Sequence, residues 1–220
     1  MRAPSRTLTC SLLLLLAAPP AFADPTTYVI DAEESEVVVL VYKAGIAARF
    51  AHDHVIAAKE LAGEITWDPE RPEATKVSVT VQAGSLVADD PQVVKKHKVA
   101  SDLGEDDRKA VEENLKGEDQ LHVAKYPTIT FTADSLRKVK DAIYLAGTLT
   151  LHGVAKKVSL LVTIEEQDGR LRGRGKLSVK QSDFGYEPFS AFLGAVKVKD
   201  QAVIMLDLVA VPAKKETAQR

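Results

Sequence analysis

The amino-acid sequence predicts an all-β fold, a closed antiparallel barrel of about eight strands interrupted by one helical insertion. Three observations carry that expectation. Short segments rich in β-branched and aromatic residues recur along the chain, separated by turn-forming stretches. Residues 125–163 string such segments together through one tight turn and contain no nucleophile with its base. Residues 89–117 break the pattern, being heavily charged and poor in β-branched residues outside Val93 and Val94. Antiparallel strands leave exposed edges unless the sheet closes, and eight strands enclose an interior that holds one small ligand. A two-sheet sandwich is the alternative the pattern leaves open.

In chain order, residues 28–30 and 37–42 are strands joined by a polar turn. Residues 37–41 are apolar throughout, so both faces are expected to be covered and alternation assigns no inward set. Strands at 63–67 and 76–82 flank Asp68-Pro69-Glu70-Arg71-Pro72, whose prolines and charges favour a loop. In the second of these, Val77, Val79 and Val81 alternate with Lys76, Ser78 and Thr80, as in a half-buried strand. The helix candidate is 106–116, with Val111 and Leu115 four apart and Gly117 able to end it. Strands resume at 128–132. Those at 143–151 and 157–165 flank the connection His152-Gly153-Val154-Ala155-Lys156, where Gly153 is free to take a positive φ. Asp168-Gly169 turns the chain into 170–179, which puts Leu171, Gly173, Gly175, Leu177 and Val179 on one face. Glycines there leave room against a packed object or relieve curvature. Residues 203–211 form the last strand and 214–220 a frayed tail.

Arg2 and Arg6, the apolar run at 8–18 and Ala21-Phe22-Ala23 read together as a secretory signal peptide over residues 1–23. The expected destination is periplasmic or secreted. Cleavage would discard Cys10, the single cysteine, and leave 27 basic against 31 acidic side chains, a formal charge of −4. That excludes a disulfide framework, a cysteine metal site and a thiol nucleophile, and it offers no footprint for nucleic acid. No later segment is long and apolar enough to cross a membrane. Residues 24–213 suit one domain. The chain carries no nucleophile elbow, phosphate-binding glycine loop or dinucleotide fingerprint, so binding rather than catalysis is expected.

Several motifs occur in a telling order across 27–211: Tyr28-Val29-Ile30-Asp31, Ser35 before a valine-rich strand, and Tyr126-Pro127 leading to Phe131. Gly147-Thr148-Leu149-Thr150-Leu151-His152-Gly153-Val154 with Lys157 and Val158 follows, then Ser182-Asp183-Phe184-Gly185. In these residues and their spacing the chain resembles the YceI-like family of exported lipid- and polyisoprenoid-binding proteins. The resemblance implies an extended, lipocalin-like antiparallel barrel whose elongated apolar cavity holds the tail of an isoprenoid quinone or related polyprenyl lipid, with no other cofactor required. His52-Asp53-His54, denser than the single histidine expected there, and Tyr186-Glu187-Pro188 depart from the commonest form.

Six residues are the candidate ligand contacts: Phe50, His54, Phe131, Phe184, Phe189 and Phe192. A polyprenyl tail needs a long apolar wall, because burial is worth about 25 cal/mol per Å². Phe189 and Phe192 lie three apart after Pro188, which places them on one face of a short helical turn. Phe131 shares a strand face with Ile129. Packing in the protein core is the alternative for every one of these phenylalanines. His54 is the candidate donor to a polar head group; the alternative is structural, with one histidine of the pair satisfying strand or loop backbone and the other meeting water. His52 and His54 share a face if extended, and His97 or His122 would be a third metal ligand, but the sequence shows only two of the three or four a metal needs. No metal ligand and no catalytic residue is therefore assigned. A third reading is a filled barrel whose charged insertion meets another cell-envelope protein. A homodimer that buries a barrel mouth is compatible with each of these. Release of a bound lipid would need movement of 89–117 or 184–194.

Overall fold

Period-two alternation of aliphatic and polar residues builds most of the wall. The computed structural model describes residues 25–214, so the signal peptide expected over residues 1–23 and all but the first residue of the expected tail lie outside the described residues. In order, the chain forms β1 (Thr26–Ile30), β2 (Glu36–Ala44), β3 (His54–Ala58), β4 (Leu61–Trp67), β5 (Lys76–Gln82) and β6 (Leu86–Ala88). The helices α1 (Pro91–His97) and α2 (Glu105–Lys116) come next. They are followed by β7 (Thr128–Val139), β8 (Ala142–Leu151), β9 (Val154–Gln167), β10 (Arg170–Lys180), β11 (Ser190–Ala191) and β12 (Val196–Pro212).

The ring runs β1-β4-β5-β7-β8-β9-β10-β12 and closes where β12 pairs with β1, every pair antiparallel. This is the eight-stranded barrel, not a sandwich. On the edge opposite β10, the 17-residue β12 serves two neighbours: Lys197 to Asp207 pair with β2, and Ala210 to Pro212 pair with β1. From β2 the sheet continues through β3 to β6, which extends the wall at one end of the ring.

Two expectations change here. The connection after β8 is two residues long, because Val154 already pairs with Leu151. His152 (φ 52°) and Gly153 (φ 72°) are both left-handed, the twist that suits a tight hairpin. The insertion holds two helices rather than one. Asp90 caps α1 by accepting the Gln92 N–H at 2.9 Å, and Pro91 fits the first helical position, where no N–H partner is needed. Val93 and Val94 of α1, with Val99, pack on Val38, Val55 and Ala57. That cluster covers the outer face of β2, while Val37, Val39 and Val41 face inward. The apolar run 37–41 is thus buried on both sides.

The loop after β4 is held by a buried carboxylate. Asp68 accepts N–H bonds from Glu70 (3.1 Å) and Arg71 (2.9 Å) on Oδ1 and the Arg71 Nε–H on Oδ2 (2.9 Å). Burial alone would raise its pKa; the hydrogen bonds and charge of Arg71, with the Glu70 amide, outweigh that and leave it below the usual carboxylate value. A depressed pKa contributes stability in full above the unfolded value, about 3.9, and loses it as pH falls through the folded one. Amide protection at 68–75 should therefore drop only below about pH 4, ahead of the neighbouring strands. Protection that stays flat through that range would contradict this role.

Candidate functional site: an apolar cavity with one polar end

Inward side chains enclose a cavity of about 320 Å³, within the usual range of small-molecule sites. Its wall is almost wholly aliphatic: Val77, Val79 and Val81 come from β5, and Ile143, Leu145, Leu149 and Leu151 from β8. Along β8 the lined stretch spans roughly 27 Å at ~3.4 Å per residue. A cluster of Tyr28, Trp67, Leu171 and Ala210 packs one end. At the other end Val111, Asn114 and Leu115 of α2 complete the lining. Most polar lining residues collect there as well: His54, Asn114, Gln120, Gln181 and Tyr186.

His54 opens β3 and faces this end. Its Nδ1 lies 2.6 Å from Asp89 Oδ2, while Asp89 Oδ1 accepts the Val55 N–H at 2.9 Å. The Asp89 N–H in turn donates to the Val55 carbonyl at 2.8 Å. Asp89 is 2 % exposed and left-handed (φ 52°), so a buried carboxylate fixes the ring orientation and leaves Nε2 with no hydrogen bond to a described residue. Burial, with the charge of Asp200 adding to it, pushes the Tyr186 phenol pKa up, which keeps it a neutral hydroxyl.

The sequence-derived candidates divide into three groups. His54, Phe131 and Phe189 line the cavity. Phe184, 1 % exposed, packs into the core with Leu149 and Leu151 and is not part of the lining. Phe50 and Phe192 lie on exposed loops, Phe50 beneath the Arg49 guanidinium at 4.6 Å. The shared helical face of Phe189 and Phe192 does not form. β11 intervenes as an extended pair on β12, and Phe192 and Leu193 then turn left-handed. The histidines are not gathered either. His52 meets Asp102 (3.3 Å), His97 meets Glu36 (3.1 Å), and His122 packs against Tyr126. Among the described residues no group of three or more His, Cys, Asp or Glu has metal-binding geometry.

The aliphatic wall was missed as a site although its signal, the alternation in β5 and β8, is visible in the sequence. Asp89 had no such signal, lying 35 residues from its partner in a charged run.

The most recognisable motifs converge on a structural joint. Tyr126 stacks edge-on to His152 (4.6 Å), and His152 to Tyr186 (5.3 Å). His152 Nδ1–H donates to the Phe184 carbonyl at 3.1 Å. A Cβ on Gly153 would sit 2.5 Å from the Tyr126 ring, so only glycine lets that ring close down. Ser182 Oγ–H donates to Asp200 at 2.6 Å, so Ser182 and His152 bind other groups rather than each other.

This geometry has counterparts in known proteins. The YceI-like domain model matches residues 28–210. Protein YceI of Salmonella arizonae and of Salmonella newport are each 30 % identical over 142 residues, covering 64 % of this chain and 59 % of theirs. The match thus spans less than two thirds of those relatives' length. BcnA of Burkholderia cenocepacia shares the fold with a TM-score of 0.64 at 19 % identity, over 83 % of this chain and 99 % of its own. The Campylobacter jejuni YCEI protein does so with a TM-score of 0.52 at 22 % identity, over 73 % and 85 %. With the domain match running from Tyr28 in β1 to Ala210 in β12, across the whole ring, the chain belongs to the YceI-like family.

Proposed function

We propose that this protein binds an isoprenoid lipid, a quinone or another polyprenyl derivative, and sequesters or carries it without transforming it. The single observation that supports this most is the cavity itself, long, aliphatic and with most of its polar residues at one end. A tail that removes roughly 300 Å² of apolar surface from water gains about 7.5 kcal/mol at ~25 cal/mol per Å², before ordering costs. The head group stays at the His54 end, where Nε2 meets a carbonyl or hydroxyl. A filled barrel would have no such space. The protein acts after export, in the periplasm or outside the cell, where a lipid needs shielding from water in transit.

Trp67, the single tryptophan, lines the end of the cavity opposite His54 and so reports on a tail that reaches it. Titration with an isoprenoid quinone should quench its emission saturably, and a head-group analogue without the tail should bind at least ~100-fold more weakly. Equal affinity for the two, or no saturable quenching, would contradict the proposal.

A further inference from the structure

Two loops beside the polar end of the cavity carry an apolar surface that cargo binding does not use. One spans 45–53, after β2, and the other 189–195, before β12. The Ala47 N–H donates to the Ala195 carbonyl at 2.9 Å, and a Cβ on Gly45 would lie 2.5 Å from that same oxygen. The loops therefore form one tip. It exposes Ile46 (97 %), Phe50 (68 %), Phe192 (82 %) and Leu193 (110 %), with Tyr42 and Phe189 on its flanks. Of the exposed large apolar side chains among the described residues, only Leu161 lies elsewhere. Phe192 (φ 51°) and Leu193 (φ 55°) are bulky residues in a left-handed backbone they rarely adopt, so strain accompanies their outward display.

The charged residues of the two tip segments share one sign, although Asp102 reaches His52 at 3.3 Å from the insertion. Residues 42–52 and 188–199 contain no Asp or Glu, in a chain that has 31 of them, yet they contain Lys43, Arg49, Lys197 and Lys199. Arg49 lies over Phe50, and Lys199 Nζ is 5.6 Å from the Tyr42 ring centroid. Asp53, at the edge, is turned to the Lys43 N–H at 2.9 Å. An apolar tip with a cationic rim on an otherwise anionic chain fits an anionic lipid surface. A second copy would bring the same cations against each other. The tip also stands on the cavity rim, since Phe189 and Val198 both line the cavity and are joined by the Val198 N–H to Phe189 carbonyl bond (3.1 Å).

We propose that this tip docks on an anionic bilayer, inserting Ile46, Phe50, Phe192 and Leu193 among the head groups so that the cavity rim meets the membrane. The inference goes beyond cargo binding and is tested without cargo, so either can fail alone. The protein is floated with vesicles of phosphatidylcholine and phosphatidylglycerol that contain no isoprenoid. Co-flotation is expected at low salt, weaker at high salt and weaker still on phosphatidylcholine alone. Combined Phe192→Ser and Leu193→Ser should reduce it at least ~tenfold. Combined Arg49→Glu and Lys197→Glu should remove its dependence on phosphatidylglycerol, and Leu161→Ser should leave it unchanged. No flotation at low salt, or flotation indifferent to the tip substitutions, would overturn the proposal. So would a dimer in sedimentation that the serine substitutions dissolve while flotation persists, which would mark the tip as a self-interface.

Discussion

Gly173→Phe should leave the barrel folded and remove binding of long-tailed isoprenoid lipid. Gly173 lines the cavity on β10, between Leu171 and Leu177 on the same strand face. A Cβ built there meets only Val162 Cγ1, at 3.6 Å, an ordinary contact, so the backbone accepts a side chain. The remaining atoms of a phenylalanine then extend into space the tail would occupy. Gly147 offers no such site, because a Cβ there would lie 2.5 Å from the Phe131 ring and force the wall apart. Displacing roughly 100 Å² of tail contact costs about 2.5 kcal/mol at ~25 cal/mol per Å², close to two orders of magnitude in affinity. Quenching of Trp67 gives the affinity, and thermal melting shows whether the fold persists. A stable variant that binds as well as the parent would place the tail outside the barrel.

The second large effect is on stability. Asp89→Ala should cost about 2–4 kcal/mol, because it leaves buried hydrogen-bonding groups without their acceptor and puts alanine in a left-handed backbone. The loss has three sources: the Val55 N–H loses its acceptor, the His54 ring loses its anchor, and alanine must hold a φ of 52°. Asp89→Asn separates these, since asparagine tolerates the left-handed backbone but brings one oxygen to two donors. Its stability in urea should fall between parent and alanine variant. Unfolding of Asp89→Ala at the parent midpoint would show that His54 is held by something else.

The long strands were legible because their alternation is local. The bounds expected for β5 coincide with those observed, and Val77, Val79 and Val81 face the cavity as the alternation requires. The short strands were not. β3 and β6 are five and three residues long, and they are strands because each lies along a neighbour brought from elsewhere in the chain. α1 was hidden for a similar reason: its Val93 and Val94 show their purpose only once β2 and β3 lie beneath them. The polar end was legible in His54 but not in Asp89. Of the five candidate phenylalanines, Phe131 and Phe189 line the cavity, Phe184 serves the core and Phe50 and Phe192 face outward, while smaller aliphatic side chains form most of the wall.

Native mass spectrometry of protein purified without detergent, followed by organic extraction and mass analysis of the released lipid, tests the central claim most directly. A stoichiometric adduct on the parent protein, absent from Gly173→Phe and extracted as a lipid with repeating C5 units, is the predicted result. A spectrum that stays apo after incubation with isoprenoid quinones and polyprenyl lipids would contradict it.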